Sequence, residues 1–267
     1  MYSLLYSSLL FSTALALPLR PRWSVSPCPS LPPSTEDCRA SVLFPEFPEG
    51  IGGLFLPEGV RTVAVAVGFG NQTYTCSAAS GAPVNTANAE LYDVSSQLIA
   101  APNPEVAKYQ IVSYAYVYQS GNNPTYNISS ASFVGTHSFV PFVNTTSSSP
   151  SSSPSPTCGC TGSTSTPTAP TAVLLPHFEL TRTTCPGEGA GRFTGQRVAS
   201  IPSPLSPPGA HVAWVQLKRV QGNGTGDLGL ADWVYRTDTQ GGGQQRNCSA
   251  VGQVDNVPYA ALYWFLR

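Results

Sequence analysis

Short runs of Val, Ile, Trp, Tyr and Phe recur along the chain and are separated by stretches rich in Gly, Pro and Asn. The strongest runs lie in 211–220, 232–238 and 257–265. β-Branched and aromatic residues favour strands, and glycine between them favours turns. Because these runs do not alternate with helical periods, the pattern predicts an all-β fold, an antiparallel sandwich or barrel with little helix.

The same pattern predicts two strands in 60–76. Val63, Val65 and Val67 alternate with alanine, so both faces of the first strand are apolar and the strand is expected in the interior. The glycines of 68–71 are expected to turn the chain into the second strand. Segment 89–93 fits either a short strand or one helical turn, and 132–140 fits a strand.

The run 110–118 predicts a further strand with an aromatic face. Tyr114, Tyr116 and Tyr118 would lie on that face, because side chains alternate with a period of two along a strand. Such a tyrosine row could stack against sugar rings and is therefore a candidate binding surface. The favoured alternative is a packed sheet face with the hydroxyl groups at its rim.

A strand followed by Gly68-x-Gly70 also invites a nucleotide-binding interpretation. The dinucleotide fingerprint requires a third glycine three residues later, and that position is Thr73. It also requires a helix that receives the pyrophosphate, and 71–76 is a poor helix start. The pattern therefore favours a plain hairpin turn, and no cofactor is predicted.

Composition at the start of the chain predicts export. Residues 1–16 have an apolar core and a small-x-small end at Ala14-Leu-Ala16, typical of a secretory signal peptide. Residues 17–43 form a Pro/Ser-rich arm, and 44–267 are expected to form one β domain. Segment 144–171 interrupts that domain with Ser, Thr and Pro, a composition that cannot bury a core and is typical of an O-glycosylated loop. No later segment is predicted to span a membrane.

Seven cysteines fit an oxidising compartment in which most are paired. Spacing does not fix the connectivity, and an odd number leaves one without an internal partner. We expect a disulfide between Cys76 and Cys248, since both lie at the ends of strand-like runs in the domain core. Cys158 and Cys160 could bind a soft metal, but without nearby partner ligands disulfides are favoured and no metal site is predicted.

Charge and sequons support an extracellular protein. Only 10% of residues are charged and the net charge is −1, which gives no electrostatic case for nucleic acid. Glycans would hydrate the surface of a protein that has so few charged residues. Candidate N-glycosylation sites are Asn71, Asn127, Asn144 and Asn223, whereas Asn247 is disfavoured because it precedes Cys248.

Several motifs in a fixed order carry a resemblance: 67–76, 89–93, 135–137, 198–202, 213–217, 234–242, Cys248 and 259–265. Together they resemble, over 45–265, the secreted fungal and bacterial proteins grouped as domain of unknown function three-four-five-five. The resemblance implies a family without an established biochemical role, in which many fungal members carry the automatic label malate dehydrogenase. The missing dinucleotide fingerprint argues against that label here. Fungal members often have a cysteine after the second motif, whereas this chain has Val94.

Candidate catalytic residues are few. The chain has three histidines, and no spacing pairs them with carboxylates. His137 lies in a family-like motif and is the first candidate, with Asp93 as a possible carboxylate partner; the favoured alternative is a structural histidine that donates to a backbone carbonyl. Arg236 and Asp238 also lie in a family-like motif, on one face of a strand, where a structural cross-strand pair is the default interpretation.

Three functional hypotheses follow. The first is a secreted, glycosylated binding or structural protein of the cell surface or wall, with cell-wall polysaccharide as a candidate partner. The second is an extracellular hydrolase or oxidoreductase that uses His137 and nearby carboxylates. The third is a secreted effector. The absence of a catalytic constellation favours the first hypothesis over the second.

Overall fold

The computed structural model describes residue 47 and residues 53–77, 83–121, 133–142, 172–181, 191–205, 207–220, 230–244 and 248–267. All of them belong to the unit Pro33–Arg267. The predicted signal segment 1–16, the arm 17–43 and the insert 144–171 lie outside the described residues. So do Cys28, Cys38, Cys158, Cys160 and Cys185.

The described strands form a closed antiparallel barrel. Each strand pairs with its neighbours in the sequence, and the last strand pairs with the first. The strands are β1 (Thr62–Cys76), β2 (Pro83–Asp93), β3 (Phe133–Phe142), β4 (Val173–Leu180), β5 (Gly191–Ile201), β6 (Trp214–Arg219), β7 (Trp233–Gly241) and β8 (Val254–Leu266). The predicted all-β class with little helix is confirmed, and closure leaves no unpaired sheet edge.

The prediction of two strands in 60–76 is wrong, because β1 is one strand of 15 residues. Gly68 and Gly70 do not turn the chain but continue the pairing with β2, opposite Leu91 and Ala89. A Cβ at Gly70 would lie 1.9 Å from the carbonyl oxygen of Asn88. Glycine at this position therefore allows a close approach between β1 and β2.

Two helices lie between β2 and β3, α1 (Ser95–Ala100) and α2 (Pro104–Gln119). The prediction of a strand in 110–118 is therefore wrong. The Asn103 side chain accepts a hydrogen bond from the Val106 N–H at 3.2 Å, and Pro104 occupies the first turn. Both features favour a helix start, and they outweigh the β-propensity of the Tyr- and Val-rich run that follows.

The predicted tyrosine row does not exist, because helical geometry rotates successive residues by about 100°. Tyr114 and Tyr118 lie toward solvent with 52% and 41% of their surface exposed. Tyr116 instead packs toward the barrel, where its ring would collide with a Cβ at Gly241. Tyr118 contacts the Phe69 ring edge-on, with the ring centroids 5.6 Å apart.

Alternation along the strands divides the apolar residues into two layers. The outward layer lies on β1, β7 and β8 and is covered by α2, with Phe47 and Leu54 packed against it. The inward layer fills the barrel. Its members include Ala64, Ala66, Leu91, Phe178, Leu180, Phe193, Leu217, Val234, Tyr263 and Phe265.

The interior differs between the two ends of the barrel. At the end where β1 begins and β8 ends, the inward side chains are apolar and buried, as in Leu180, Leu217 and Phe265. We call this the apolar end. At the end where β1 finishes and β8 begins, inward positions carry Gln72, Tyr74 and Asp255. We call this the polar end.

The disulfide that the sequence predicts, Cys76–Cys248, is present at the polar end. Backbone hydrogen bonds join the same two segments, because Cys76 N–H donates to Gln253 O at 2.9 Å and Gly252 N–H donates to Cys76 O at 2.8 Å. The disulfide thus links the end of β1 to the segment that leads into β8.

Candidate binding site at the polar end of the barrel

Arg236 is the charged group at the centre of the candidate site. It pairs with Val215 and Tyr263, whose side chains belong to the inward layer, so Arg236 also points inward. Its Nε and Nη2 donate to the carbonyl oxygen of Ala213 at 3.1 and 2.8 Å. Because Ala213 directly precedes β6 at the polar end, these bonds direct the guanidinium toward that end, where Arg236 is partly exposed.

The charge of Arg236 acts on the hydroxyl groups of three tyrosines, Tyr74, Tyr259 and Tyr263. Their hydroxyl groups form two hydrogen bonds, between Tyr259 and Tyr263 at 3.0 Å and from Tyr74 to the Gly242 carbonyl at 2.6 Å. Burial raises the pKa of all three hydroxyl groups, and the charge of Arg236 opposes that rise. The hydroxyl groups therefore stay protonated near neutral pH, and Tyr74 keeps its proton in the hydrogen bond to Gly242.

Gly242 directly follows β7 and lies at the polar end of the barrel. A Cβ at this position would lie 2.7 Å from Tyr259 Cβ, 2.8 Å from Val212 Cγ1 and 3.1 Å from Gln72 Cγ. Its φ of 75° is also a conformation that favours glycine. Gln72, Val212 and Tyr259 therefore form one wall of the site around a glycine.

Two polar atoms in this region are buried without hydrogen-bond partners. They are the amide nitrogen Nε2 of Gln72 and the carboxylate oxygen Oδ2 of Asp255. Gln72 is only 1% exposed. An unpaired buried donor or acceptor costs about 1–3 kcal/mol of folding free energy, so such atoms in a native structure require an explanation.

His137 is enclosed in the barrel and is held by structural contacts. It is 2% exposed, its ring stacks on Phe178 at 4.2 Å, and its Nδ1 donates to the carbonyl oxygen of His177 at 3.0 Å. Burial lowers the pKa of His137 to about 3, although the bond to His177 opposes the change. This is the structural alternative that the sequence favoured, and a histidine held neutral in this way is poorly suited to proton transfer near pH 7.

Asp93 does not join His137. The residue opposite His137 on β2 is Ala89, and Asp93 lies four residues further along the strand, about 13 Å at the usual rise. Its Oδ1 accepts from the Ser95 N–H at 2.8 Å, at the start of α1. The structure therefore does not assemble His137, Asp93 and Arg236 into one acid/base site.

Arg236 and Asp238, which the sequence analysis placed on one face of a strand, make separate contacts in the structure. The pairing of β7 with β8 shifts between Thr237 and Gln240, and Asp238 adopts a left-handed φ of 49°. Asp238 accepts from the Thr237 hydroxyl at 2.7 Å, whereas Arg236 bonds to Ala213. Burial raises the pKa of Asp238, and the hydrogen bond from Thr237 opposes that rise. Because of this irregularity in β7, Arg236 and Asp238 contact different residues.

The predicted glycosylation sites lie mostly outside the described residues. Asn127, Asn144 and Asn223 belong to segments that the structure does not describe. Asn71 is partly exposed within β1, opposite Asn88 and Pro258. Glycosylation of all four residues stays a prediction.

Sequence reasoning identified Arg236 but missed Gln72, Tyr74, Tyr259 and Asp255. Gln72 and Tyr74 were missed because the sequence predicted a turn at 68–71. Such a turn would interrupt the alternation of inward side chains, which in the structure continues along β1 from Ala66 through Gln72. In β8, alternate residues share one face of the strand, so the sequence could have placed Asp255, Tyr259 and Tyr263 together on that face.

Comparison with known protein families assigns the chain. A family model described as protein of unknown function (DUF3455) matches residues 57–267. The chain belongs to the DUF3455 family. The matched region of this DUF3455 protein contains all the barrel strands and every residue of the candidate site. No curated protein and no solved structure matches the chain.

Neither a membrane-spanning helix nor a metal-binding cluster occurs among the described residues. Among them, none of the helices combines the length and the apolar character needed to cross a membrane. The same part of the chain holds no group of three or more His, Cys, Asp or Glu side chains arranged to bind a metal ion.

Proposed function

We propose that this DUF3455 protein is a secreted, glycosylated binding protein of the cell surface or wall, and that its ligand binds at the polar end of the barrel. The observation that carries the proposal is the partly exposed Arg236, which points into the barrel, together with the buried and unpartnered Nε2 of Gln72 at the polar end. Polar groups gathered at one end of an otherwise apolar interior are typical of small-molecule sites.

Contacts of the candidate catalytic groups support binding rather than chemistry. His137 is enclosed by aromatic rings and bonded to the backbone, and Asp93 binds the start of α1. By contrast, Arg236 and Gln72 retain donors that structural contacts do not use. A binding role requires only those donors and the protonated tyrosines around them.

A ligand screen on the glycosylated protein collected from culture medium tests this proposal. A panel of neutral sugars, organic acids and amines is added in a thermal-shift assay, since a ligand that binds only the folded state raises Tm. Recovery from the medium with a chain that begins after residue 16 tests secretion in the same preparation. If no compound of the panel raises Tm, binding at the polar end is contradicted.

The variant Arg236→Gln tests where the ligand binds. It is compared with Arg192→Gln, which removes an arginine on β5 that pairs with Glu179 at 3.0 Å and is half exposed. We expect the ligand-induced rise in Tm to disappear in Arg236→Gln and to persist in Arg192→Gln. A rise that persists in a folded Arg236→Gln protein would move the ligand elsewhere.

A second candidate function rests on the solvent face of α2. Tyr114 and Tyr118, four residues apart on one side of this helix, are 52% and 41% exposed. Exposed aromatic rings with hydroxyl groups suit a neutral polysaccharide. Loss of binding to insoluble cell-wall polysaccharide in Tyr114→Ala/Tyr118→Ala, with binding kept in Arg236→Gln, would favour this surface over the barrel.

A further inference from the structure

Resting on the proposed secretion and glycosylation, we infer that Asn71 carries a glycan whose first sugars pack on the exposed rings of Tyr118 and Tyr114. The sequon Asn71-Gln72-Thr73 is one of several glycosylation sites that the sequence predicts. Its place on the barrel adds the new element, because an attached glycan would lie beside an aromatic surface of the same chain.

The two essential side chains of the sequon lie on the outer surface of β1. Asn71 and Thr73 are two residues apart on one face of the strand, and both are partly exposed. The Thr73 hydroxyl donates to Asn256 Oδ1 at 2.7 Å in an exposed hydrogen bond. The residue opposite Asn71 on β2 is the exposed Asn88. A glycan on Asn71 therefore extends into solvent and leaves the barrel closed.

The order of the strands in the chain leaves the sequon accessible before the barrel closes. Asn71 pairs with Pro258 of β8, and β8 is the last strand to be synthesised. One side of β1 is thus unpaired until the end of synthesis. In the transfer, the Asn71 side-chain nitrogen forms a bond to the anomeric carbon of an oligosaccharide carried on a lipid diphosphate. The nitrogen loses one proton and the lipid diphosphate leaves.

An aromatic cluster lies next to Asn71 on the outer surface. Phe69 shares the outward face of β1 and lies roughly 7 Å before Asn71 along the strand. Its ring stacks on Tyr92 at 5.1 Å and contacts Tyr118 edge-on at 5.6 Å, so Phe69 itself is only 3% exposed. Tyr118 is 41% exposed and is therefore the ring of this cluster that a sugar on Asn71 can cover.

The last turn of α2 is fixed at the level of Asn71. The Tyr116 ring would lie 2.2 Å from a Cβ at Gly241. Gly241 pairs with Tyr259, and Tyr259 pairs in turn with Gly70 on β1. Because Gly70 directly precedes Asn71, the C-terminal end of α2 and the sequon lie at the same height on the barrel.

The exposed tyrosines of α2 have the chemistry that a neutral sugar requires. A pyranose ring has C–H groups on its faces and hydroxyl groups at its edge. It can therefore cover an aromatic ring while its own hydroxyl groups stay hydrated. Tyr114 lies one helical turn before Tyr118 on the same side of α2 and is 52% exposed. A glycan that passes Tyr118 along the helix would meet Tyr114 next.

Endoglycosidase digestion of the native, secreted, full-length protein tests this packing. Mass spectrometry of the Asn71 glycopeptide follows the rate of glycan release. We expect release about 3- to 10-fold faster in Tyr114→Ala/Tyr118→Ala than in wild type, and still slow in Tyr114→Phe/Tyr118→Phe, which keeps the rings. Tyr109→Ala is the matched control, because Tyr109 is 58% exposed and lies on the opposite side of α2 from Tyr118.

Nitration of the tyrosine rings gives a second measurement that needs no variant of α2. Asn71→Gln removes the glycan and leaves the helix unchanged. We expect Tyr118 to be nitrated about 3- to 10-fold faster in Asn71→Gln than in the glycosylated wild type, because its ring is no longer covered. Tyr109 should be nitrated at the same rate in both proteins.

Three results would each overturn the inference. They are an unmodified Asn71 in the secreted protein, equal release from wild type and Tyr114→Ala/Tyr118→Ala, and equal nitration of Tyr118 with and without the glycan. Ligand binding at the polar end would stand in all three cases, because its test depends on Arg236. If Asn71 is unmodified and the two tyrosines bind wall polysaccharide, the surface belongs to the second candidate function. If no sequon of the secreted protein is occupied, the proposed glycosylation falls as well.

Discussion

Individual residues in the barrel show how burial decides between structural and functional roles. His137 and Arg236 both point inward, and both were candidates from the sequence. His137 is enclosed by Phe178, Tyr263 and Phe139 and satisfies its Nδ1 on the backbone. Arg236 shares the same interior but reaches the partly exposed polar end. The sequence alone could not separate these two roles, because the burial of each side chain depends on its place in the folded barrel.

Burial of neutral His137 predicts a specific acid sensitivity. Its folded-state pKa of about 3 lies below the ordinary value of 6.5, so the unfolded chain binds a proton first as pH falls. Above pH 6.5 the group contributes no pH dependence. As pH falls from about 6.5 to 3, protonation of His137 in the unfolded chain lowers the free energy of unfolding by about 1.4 kcal/mol per pH unit.

Urea unfolding of His137→Gln at several pH values checks this expectation. Glutamine cannot titrate, so the variant should lose that part of the acid dependence, although it is less stable than wild type at pH 7. His177→Gln, which removes a partly exposed histidine from β4, is measured in parallel as a second histidine variant. Parallel stability–pH curves for wild type and His137→Gln would contradict the assignment.

At the scale of elements, the sequence predicted most of the strands but misassigned two segments. Strands β3, β6, β7 and β8 follow runs of β-branched and aromatic residues, and local propensity agrees with the fold there. In β1 glycine mimics a turn, although it is required by the close approach of β2. In α2 the Asn103-Pro104-Glu105 start marked a helix, but the Tyr- and Val-rich run after it favoured a strand.

The close approach of β1 and β2 predicts that Gly70 cannot be replaced. In Gly70→Ala the new Cβ would meet the Asn88 carbonyl oxygen and the Ala89 Cα, and both belong to the backbone. The strands would have to separate, at a cost of about 3 kcal/mol in the free energy of unfolding. Chemical denaturation measures this loss. Asn256→Ala, which removes only an exposed hydrogen bond from Thr73, should cost less than about 1 kcal/mol. Equal losses in the two variants would refute the steric explanation.

At the scale of the whole molecule, closure of the barrel joins distant parts of the chain. β1 pairs with β8, and the disulfide Cys76–Cys248 fixes the same junction across 172 positions of sequence. Closure also produces the interior that the sequence could not reveal. Which inward residues meet at one end depends on the register of all the strands, and no single segment contains that information.

The long loop closed by the disulfide predicts a large contribution to stability. A cross-link over this separation restricts the unfolded chain and is worth about 3–5 kcal/mol. The double variant Cys76→Ser/Cys248→Ser should lose that amount in urea unfolding and keep the far-UV circular dichroism of a β protein. A loss below about 1 kcal/mol would mean that the backbone bonds at Gln253 and Gly252 hold the junction without the disulfide.

The most direct test of a ligand site at the polar end is amide hydrogen exchange, measured with and without the tightest ligand from the thermal-shift panel. We predict slower exchange in 207–213, 241–244 and 254–259 when the ligand is bound, and unchanged exchange in Pro104–Gln119. This result would place the ligand beside Arg236 and Gln72. Slower exchange confined to Pro104–Gln119 would contradict the account and transfer binding to the aromatic face of α2.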